Sequence, residues 1–491
     1  MMRAGRAFGF LGRVEMRRRR LVILGVALVC AIAVAPVGIA VAATCPSAGF
    51  LQPSPPTSAQ CVALADVQCY SPAQMQRAYG LKALYRKGYN GRGRTIIIVD
   101  PYGSPTIGSD LAYFDRKTGL PAPPHFRVIA PDGPIPPFPA IDPNHLTFYD
   151  QERIAKAGET TGDVETAHEI APGANILLVE TPDPETGTGG GFPAMMAAEQ
   201  YVLEHNMGAV ISQSFSLPER NFGRAAIMRL RYAYLTAYRD HVSVFGASGD
   251  QGVSGSVRTR FGLDLYDHRV VQWPASDPLV TGVGGTAIDL NALGQRVTPD
   301  TAWNDTWNPA VSDWDGCRTP PDPWASGGGV SAIFKRPGYQ NPVRGIVGGR
   351  RGVPDFSMNA AISDGVLTYG SYLGTGVWGS GSGGTSAATP EFAGIIVIAD
   401  QMAHKRLGLI NPYLYELERR HAPGIVDITR GDNSVAFHAN QITNTGPIIR
   451  VQGYRARRGY DLVTGVGTPN AARLVPELVA LARHGATHGG H

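Results

Sequence analysis

The octapeptide Gly383-Gly384-Thr385-Ser386-Ala387-Ala388-Thr389-Pro390 runs directly into an apolar segment, Phe392-Ala393-Gly394-Ile395-Ile396-Val397. A serine so placed opens a helix, where unpaired backbone N–H groups and the positive end of the helix dipole can stabilise a developing oxyanion. Pro390 falls early enough in that helix to cost little. An N-cap would use the same serine, so Ser386 is a nucleophile only if a base exists to take its proton. The usual base is histidine. His168, however, stands just before Ala171-Pro172-Gly173-Ala174, where its helix must end, and suits a C-terminal helix cation. At the start of that helix, expected over residues 159–170, Glu159 and Asp163 lie four apart and face one side. An acidic first turn is also what the dipole favours. The third piece is Asp250, at the end of the run Val244-Phe245-Gly246-Ala247-Ser248-Gly249. Ligand sites of open α/β sheets lie at the carboxyl ends of strands, although Asp250 also suits a turn.

The elements that position these residues follow from hydrophobic patterning. Short continuous β-branched runs at 95–99, 175–179, 209–211, 242–245 and 279–283 read as strands buried on both faces. Helices are expected at 159–170, 192–204 and 219–238 between them. Buried strands alternating with helices predict an α/β fold, a mostly parallel sheet with helices on both faces. The chain has 491 residues, 43% hydrophobic and 17% charged, enough for a substantial core and unlike a disordered chain. The Pro-rich stretch 131–143 is expected as a surface excursion.

Taken together, the ordered motifs resemble the sedolisin family, the serine-carboxyl peptidases of subtilisin-like fold. They are Gly158-Glu159 with Asp163, Ala171-Pro172-Gly173-Ala174, Val210-Ile211-Ser212-Gln213-Ser214, Ala247-Ser248-Gly249-Asp250 and Val283-Gly284-Gly285-Thr286. Further on come Ser326-Gly327-Gly328-Gly329-Val330-Ser331, Val353-Pro354-Asp355 and Gly384-Thr385-Ser386 with Pro390. The resemblance runs from about Tyr70 to Leu481. It implies Ser386 as nucleophile, Glu159 as general base, Asp163 as the carboxylate behind Glu159, and Asp250 as the oxyanion-hole acid. Protein or peptide substrates would be cleaved through an acyl-enzyme. The chemistry suits acid: Glu159 is pushed upward by a second carboxylate and by exclusion of water, and Asp250 donates only while protonated.

Two other functions stay open at this point. Asp100 ends a strand as the aspartate of an ordinary subtilisin does, which with a histidine and Ser386 would make a Ser/His/Asp set; here Asp100 is read as structural. A secreted, non-catalytic binding module keeping the fold is the other. Sedolisins are usually made with a large N-terminal pro-domain, whereas only residues 44–68 separate the leader from the catalytic pattern. The resemblance also implies one structural Ca²⁺, with carboxylates from Asp427 and Asp461 and carbonyls from Ile428 and Gly459, the hard oxygens the ion prefers. Arg457 stands where the family tends to have another glycine, and Asp427 alone would suit an Asx turn.

The formal charge is +4. Seven arginines against Glu15 within residues 1–43 account for more than all of it, so the remainder is slightly acidic and carries no basic stripe for nucleic acid. Arg17 to Arg20, an apolar run over 21–35 and the ending Ala40-Val41-Ala42-Ala43 have the form of a secretory signal; an uncleaved membrane anchor is the alternative. The expected organisation is therefore a signal peptide at 1–43, a Pro/Ser-rich linker at 44–68, a peptidase domain at 69–483 and a flexible tail at 484–491. The product would be secreted, monomeric and not stably associated with a membrane. Cys45, Cys61, Cys69 and Cys317 allow up to two disulfides.

Overall fold

The computed structural model describes residues 49–140, 147–183, 190–259, 262–314, 318–441 and 443–485. The expected signal peptide, Cys45, Cys317 and residues 486–491 lie outside them. Among the described residues the largest sheet has eight strands. In chain order these are β1 (Thr95–Pro101), β2 (Phe126–Ile129), β3 (Asn175–Thr181), β4 (Val210–Gln213), β5 (Ser243–Ala247), β6 (Thr281–Ala287), β7 (Thr301–Ala302) and β8 (Phe356–Asn359). Their spatial order is β7-β6-β5-β4-β1-β3-β2, with β8 also paired to β6. Every pairing is parallel except β6 with β7.

Alternation along β1 sends its residues to two cores. Ile96 and Ile98 pack with α2 (Phe148–Ile170), α4 (Gly384–Ala403) and α5 (Ala471–Gly485), whereas Ile97 and Val99 pack with α3 (Phe192–Glu204). Another helix, α1 (Ile107–Thr118), follows β1. Helices thus cover both faces, which is why the strands read as unbroken apolar runs. By the same alternation Asp100 faces the side on which α2 and α4 lie.

Three expectations change. Helix α2 begins at Phe148, eleven residues before Glu159, with Thr147 and Asp150 forming a reciprocal capping box. Gly158 and Gly162 disguised its continuity, and the dipole-favoured acidic first turn belongs to Asp150. The expected helix over 219–238 is three short ones, Glu219–Phe222, Arg224–Leu230 and Tyr232–Arg239. Gly223, at φ +72°, leaves helical space between the first two. The stretch 49–68, read from composition as linker, is folded: Gly49–Phe50 pairs with Val377–Ser382, and Ser58–Ala65 is a capped helix. Phe50 and Cys61 bury against Phe114 and Trp378, and Cys61 is bonded to Cys69. Widely spaced anchors and a covalent link hold a segment whose prolines suggested none. The last helix, α5, also runs two residues into the expected tail.

Candidate active site

Ser386 is the third residue of α4, and the turn that presents it is built around Gly384. Gly384 has φ +77°, and a Cβ there would stand 2.6 Å from Asp250 Oδ2, so both the backbone angle and the close approach require glycine. Asp250 follows β5. Its Oδ1 accepts from Thr385 N at 2.7 Å and from Thr385 Oγ1 at 2.8 Å, while Thr385 Oγ1 accepts from Gly249 N at 3.0 Å. The acid is thereby locked beside the serine. Ser386 Oγ donates to Ser214 O at 3.3 Å, and Ser214 Oγ donates to Ser386 O at 3.0 Å. Ser214 comes directly after β4, so the carboxyl ends of two neighbouring strands hold the start of α4.

Glu159 and Asp163 lie on α2, in its interior, and both are buried. Asp100 joins them from the end of β1, beside Thr160. Burial pushes Asp100 up to about 7, the charge of Glu159 adds to the rise, and Lys156 and Thr160 oppose it. Asp163 is raised well above the usual carboxylate range by burial, then by Asp100 and Glu159, against Ser214 and Lys156. Asp163 stands beside the Ser214 side chain, which favours its charged form. Ser214 thus stands between the carboxyl cluster and Ser386. Ser386 and Asp250 are each 9% exposed and Asp163 is 2% exposed: the serine and its acid reach solvent, and the cluster behind them is closed.

The structure brings Ser386 against Asp250, and Glu159 against Asp163, at the carboxyl end of the sheet. It excludes His168, fully buried with Nε2 2.9 Å from Pro121 O and 3.2 Å from Asp115 Oδ1. Sequence reasoning missed the place of Asp100 beside Glu159, the hydrogen bonds of Ser214 to Ser386 and the buried Lys156. The signal for Ser214 was present in Ser212-Gln213-Ser214 at a strand end. For Lys156 it was one long cation in the stretch Ala155-Lys156-Ala157-Gly158.

Of the residues expected to hold calcium, Asp427 and Gly459 are in contact. Asp427 Oδ2 accepts from Gly459 N at 3.0 Å. Asp461 Oδ2 accepts from Arg457 N at 2.9 Å, and its Oδ1 from Val463 N and Thr464 N at 2.9 and 2.8 Å. Burial pushes Asp461 up to about 6, despite those N–H donors. A third carboxylate, Glu418, lies beside Gly459: a Cβ on Gly459 would be 3.2 Å from Glu418 Oε1. Glu418 is raised by burial and by the charge of Asp427. Among the described residues no three His, Cys, Asp or Glu side chains form a ready metal cluster, so ligation would need main-chain carbonyls. Acidic side chains raised by burial, together with carbonyls of the same loop, fit a hard divalent cation.

A nucleophile helix, an acid locked beside it and a carboxyl pair on the facing helix, on a parallel sheet, define a narrow class. The chain is 30% identical over 430 residues to kumamolisin of Bacillus sp. (strain MN-32), across 84% of this chain and 64% of that one. The chain belongs to the sedolisin family. It is 28% identical over 308 residues to human tripeptidyl-peptidase 1, across 58% of this chain and 45% of the relative. It therefore spans less than two thirds of the length of either. The structure of a Pseudomonas sedolisin, a serine-carboxyl proteinase complexed with pseudo-iodotyrostatin, matches at TM-score 0.63 and 23% identity, over 86% of this chain and 99% of that one. The sedolisin fold, α/β and subtilisin-like, is thus that of this chain. No family model matches the sequence.

Proposed function

We propose that this chain is a serine-carboxyl peptidase, hydrolysing peptide bonds at acidic pH through an acyl-enzyme on Ser386. The observation that carries this reading is the start of α4, where Thr385 holds Asp250 beside Ser386 and Ser214 holds Ser386 in turn. In the first step the Ser386 hydroxyl turns from Ser214 O toward Glu159, which takes its proton as Oγ attacks the scissile carbonyl. Asp163 stands behind Glu159 and takes part in holding the shared charge. The carbonyl oxygen becomes an oxyanion beside Asp250. Oδ1 of Asp250 is engaged by Thr385, so the proton that stabilises the oxyanion belongs on Oδ2. Glu159 then returns its proton to the leaving amine, and water repeats the cycle in reverse. His168 is committed to Pro121 and Asp115, which disfavours the histidine-based alternative.

The acid range has support across the fold. Burial pushes Glu180 and Asp364 up to about 7, and Glu199 and Asp400 up to about 8. Folded-state pKa values above the unfolded ones give stability that is complete in acid and is lost as pH rises toward 7 and 8. The Cys61–Cys69 disulfide suits an oxidising compartment, in keeping with secretion. No helix among the described residues is long and apolar enough to cross a membrane.

One structural Ca²⁺ is part of the same reading. The carboxylates of Asp427 and Asp461 and the carbonyls of Ile428 and Gly459 would hold it, and it would neutralise their charge while tying together two loops. Substrates are proteins or peptides, and the working form is a monomer. The deciding experiment incubates the full exported chain with a mixed peptide library at about pH 4, close to ordinary carboxyl pKa values, beside Ser386→Ala. Cleavage by the wild type alone supports the proposal; no cleavage by either refutes it.

A further inference from the structure

Lys156 is 3% exposed on α2. Positions 156, 159, 160 and 163 follow the i, i+3, i+4, i+7 spacing and form one stripe along the helix. Thr160 and Glu159 lie beside Asp100, and α2 packs on the Ile96 and Ile98 face of β1, so this stripe lies against the end of that strand. Glu159 and Asp163 lie on the same stripe, Asp100 comes from β1, and Glu180 stands next to Asp100 at the end of β3. Glu152, one turn before Lys156 on α2, groups with Arg153 and Asp183 around Tyr102. The ammonium of Lys156 thus enters a region of carboxyl groups, and it favours the charged forms of both Asp100 and Asp163.

Three carboxyl groups closed off from water cannot all ionise, because each charge is penalised by burial and by the other two. A buried ammonium reverses part of that penalty. We propose that Lys156 is the resident counter-ion of the Asp100–Glu159–Asp163 set, a positioning residue that lets the set carry negative charge and so keeps Glu159 competent as a base at acidic pH. The proposal rests on the reading of Glu159 as base. Lys156 touches no reacting atom in this scheme; it acts through the carboxyl groups.

The test compares wild type, Lys156→Met and Lys156→Arg in two ways. The first is melting temperature against pH. Lys156→Met should lose least near pH 4, where most of the set is protonated, and fall progressively further below wild type toward pH 7; Lys156→Arg should follow wild type. The second is the pH profile of kcat/KM on a cleaved peptide. In Lys156→Met the acid limb should move up by about one pH unit, the lower end of what an adjacent opposite charge does. kcat should carry the loss, KM should hold, and Lys156→Arg should restore the profile. A melting deficit independent of pH, or an unmoved acid limb in a folded variant, overturns the proposal. If Lys156→Met does not fold, adding Asp100→Asn should restore folding, because removing both members relieves the unpaired charge; failure of that rescue also overturns it. Wild type without cleavage at any pH would refute the peptidase reading, and the melting profile would then decide on Lys156 alone.

Discussion

Glu391→Gln should stabilise the protein near neutrality and leave it unchanged in acid. Glu391 lies on α4, five residues beyond Ser386, and its carboxyl lies against that of Glu169 on α2. Both side chains are fully buried. The helices meet tightly here: a Cβ on Gly394 would stand 2.9 Å from Ile170 Cβ. Burial raises both groups well above the carboxylate range, and for Glu169 the charges of Glu391 and Glu165 add to the rise. The folded chain therefore holds protons that the unfolded chain releases above about pH 4.3. Each such proton makes stability fall by about 1.4 kcal/mol per pH unit. From pH 4.5 to 6.5 that is roughly 2 kcal/mol for a carboxyl that stays protonated in the folded chain. Glutamine has no proton to lose, and its amide can still donate to Glu169. Urea midpoints measured at intervals from pH 4 to 7 should coincide at the acid end and separate steadily above it. Parallel curves would show that the pair ionises as readily in the folded chain as in the unfolded one, and the argument from burial would fail. A deficit present already at pH 4 would show that hydrogen bonding and packing dominate.

Glu159→Gln should reduce kcat by about 10²-fold or more with the fold intact, since an amide cannot accept the serine proton, whereas His168→Gln should leave kcat largely unchanged; the reverse result would make the mechanism histidine-based. Asp250→Asn, able to donate at any pH, should flatten the alkaline side of the rate profile while lowering its maximum, and an unaltered profile would remove Asp250 from the oxyanion hole. Chelation should lower the wild-type melting point and expose the region around residues 427–461 to proteolysis, with little further effect on Asp461→Asn. Because Asp461 is raised toward 6 by burial, calcium affinity should weaken as pH falls through that range. A melting point unmoved by chelator would mean that no ion is held there.

Much of the architecture was written locally. Thr95–Pro101, Asn175–Thr181 and Val210–Gln213 read as strands because both faces are buried, which forces continuous apolar composition. Gly384-Thr385-Ser386 announced a helix start because the turn needs a glycine where Asp250 approaches. The same logic placed Ser386 and Asp250 at a helix start and a strand end that come together, and Glu159 and Asp163 on one face of a helix. What the chain order could not show is partnership across it. Asp100 looked structural and Lys156 unremarkable because their meaning depends on α2 lying against the end of β1, a contact between segments some sixty residues apart. Residues 49–68 looked like a linker because proline content is local, whereas the burial of Phe50 against Trp378 is not. Ionisation follows the same division. A side chain's type sets its ordinary pKa, but the charges and the depth of burial that move it exist only once the sheet and its two helical layers have closed around it.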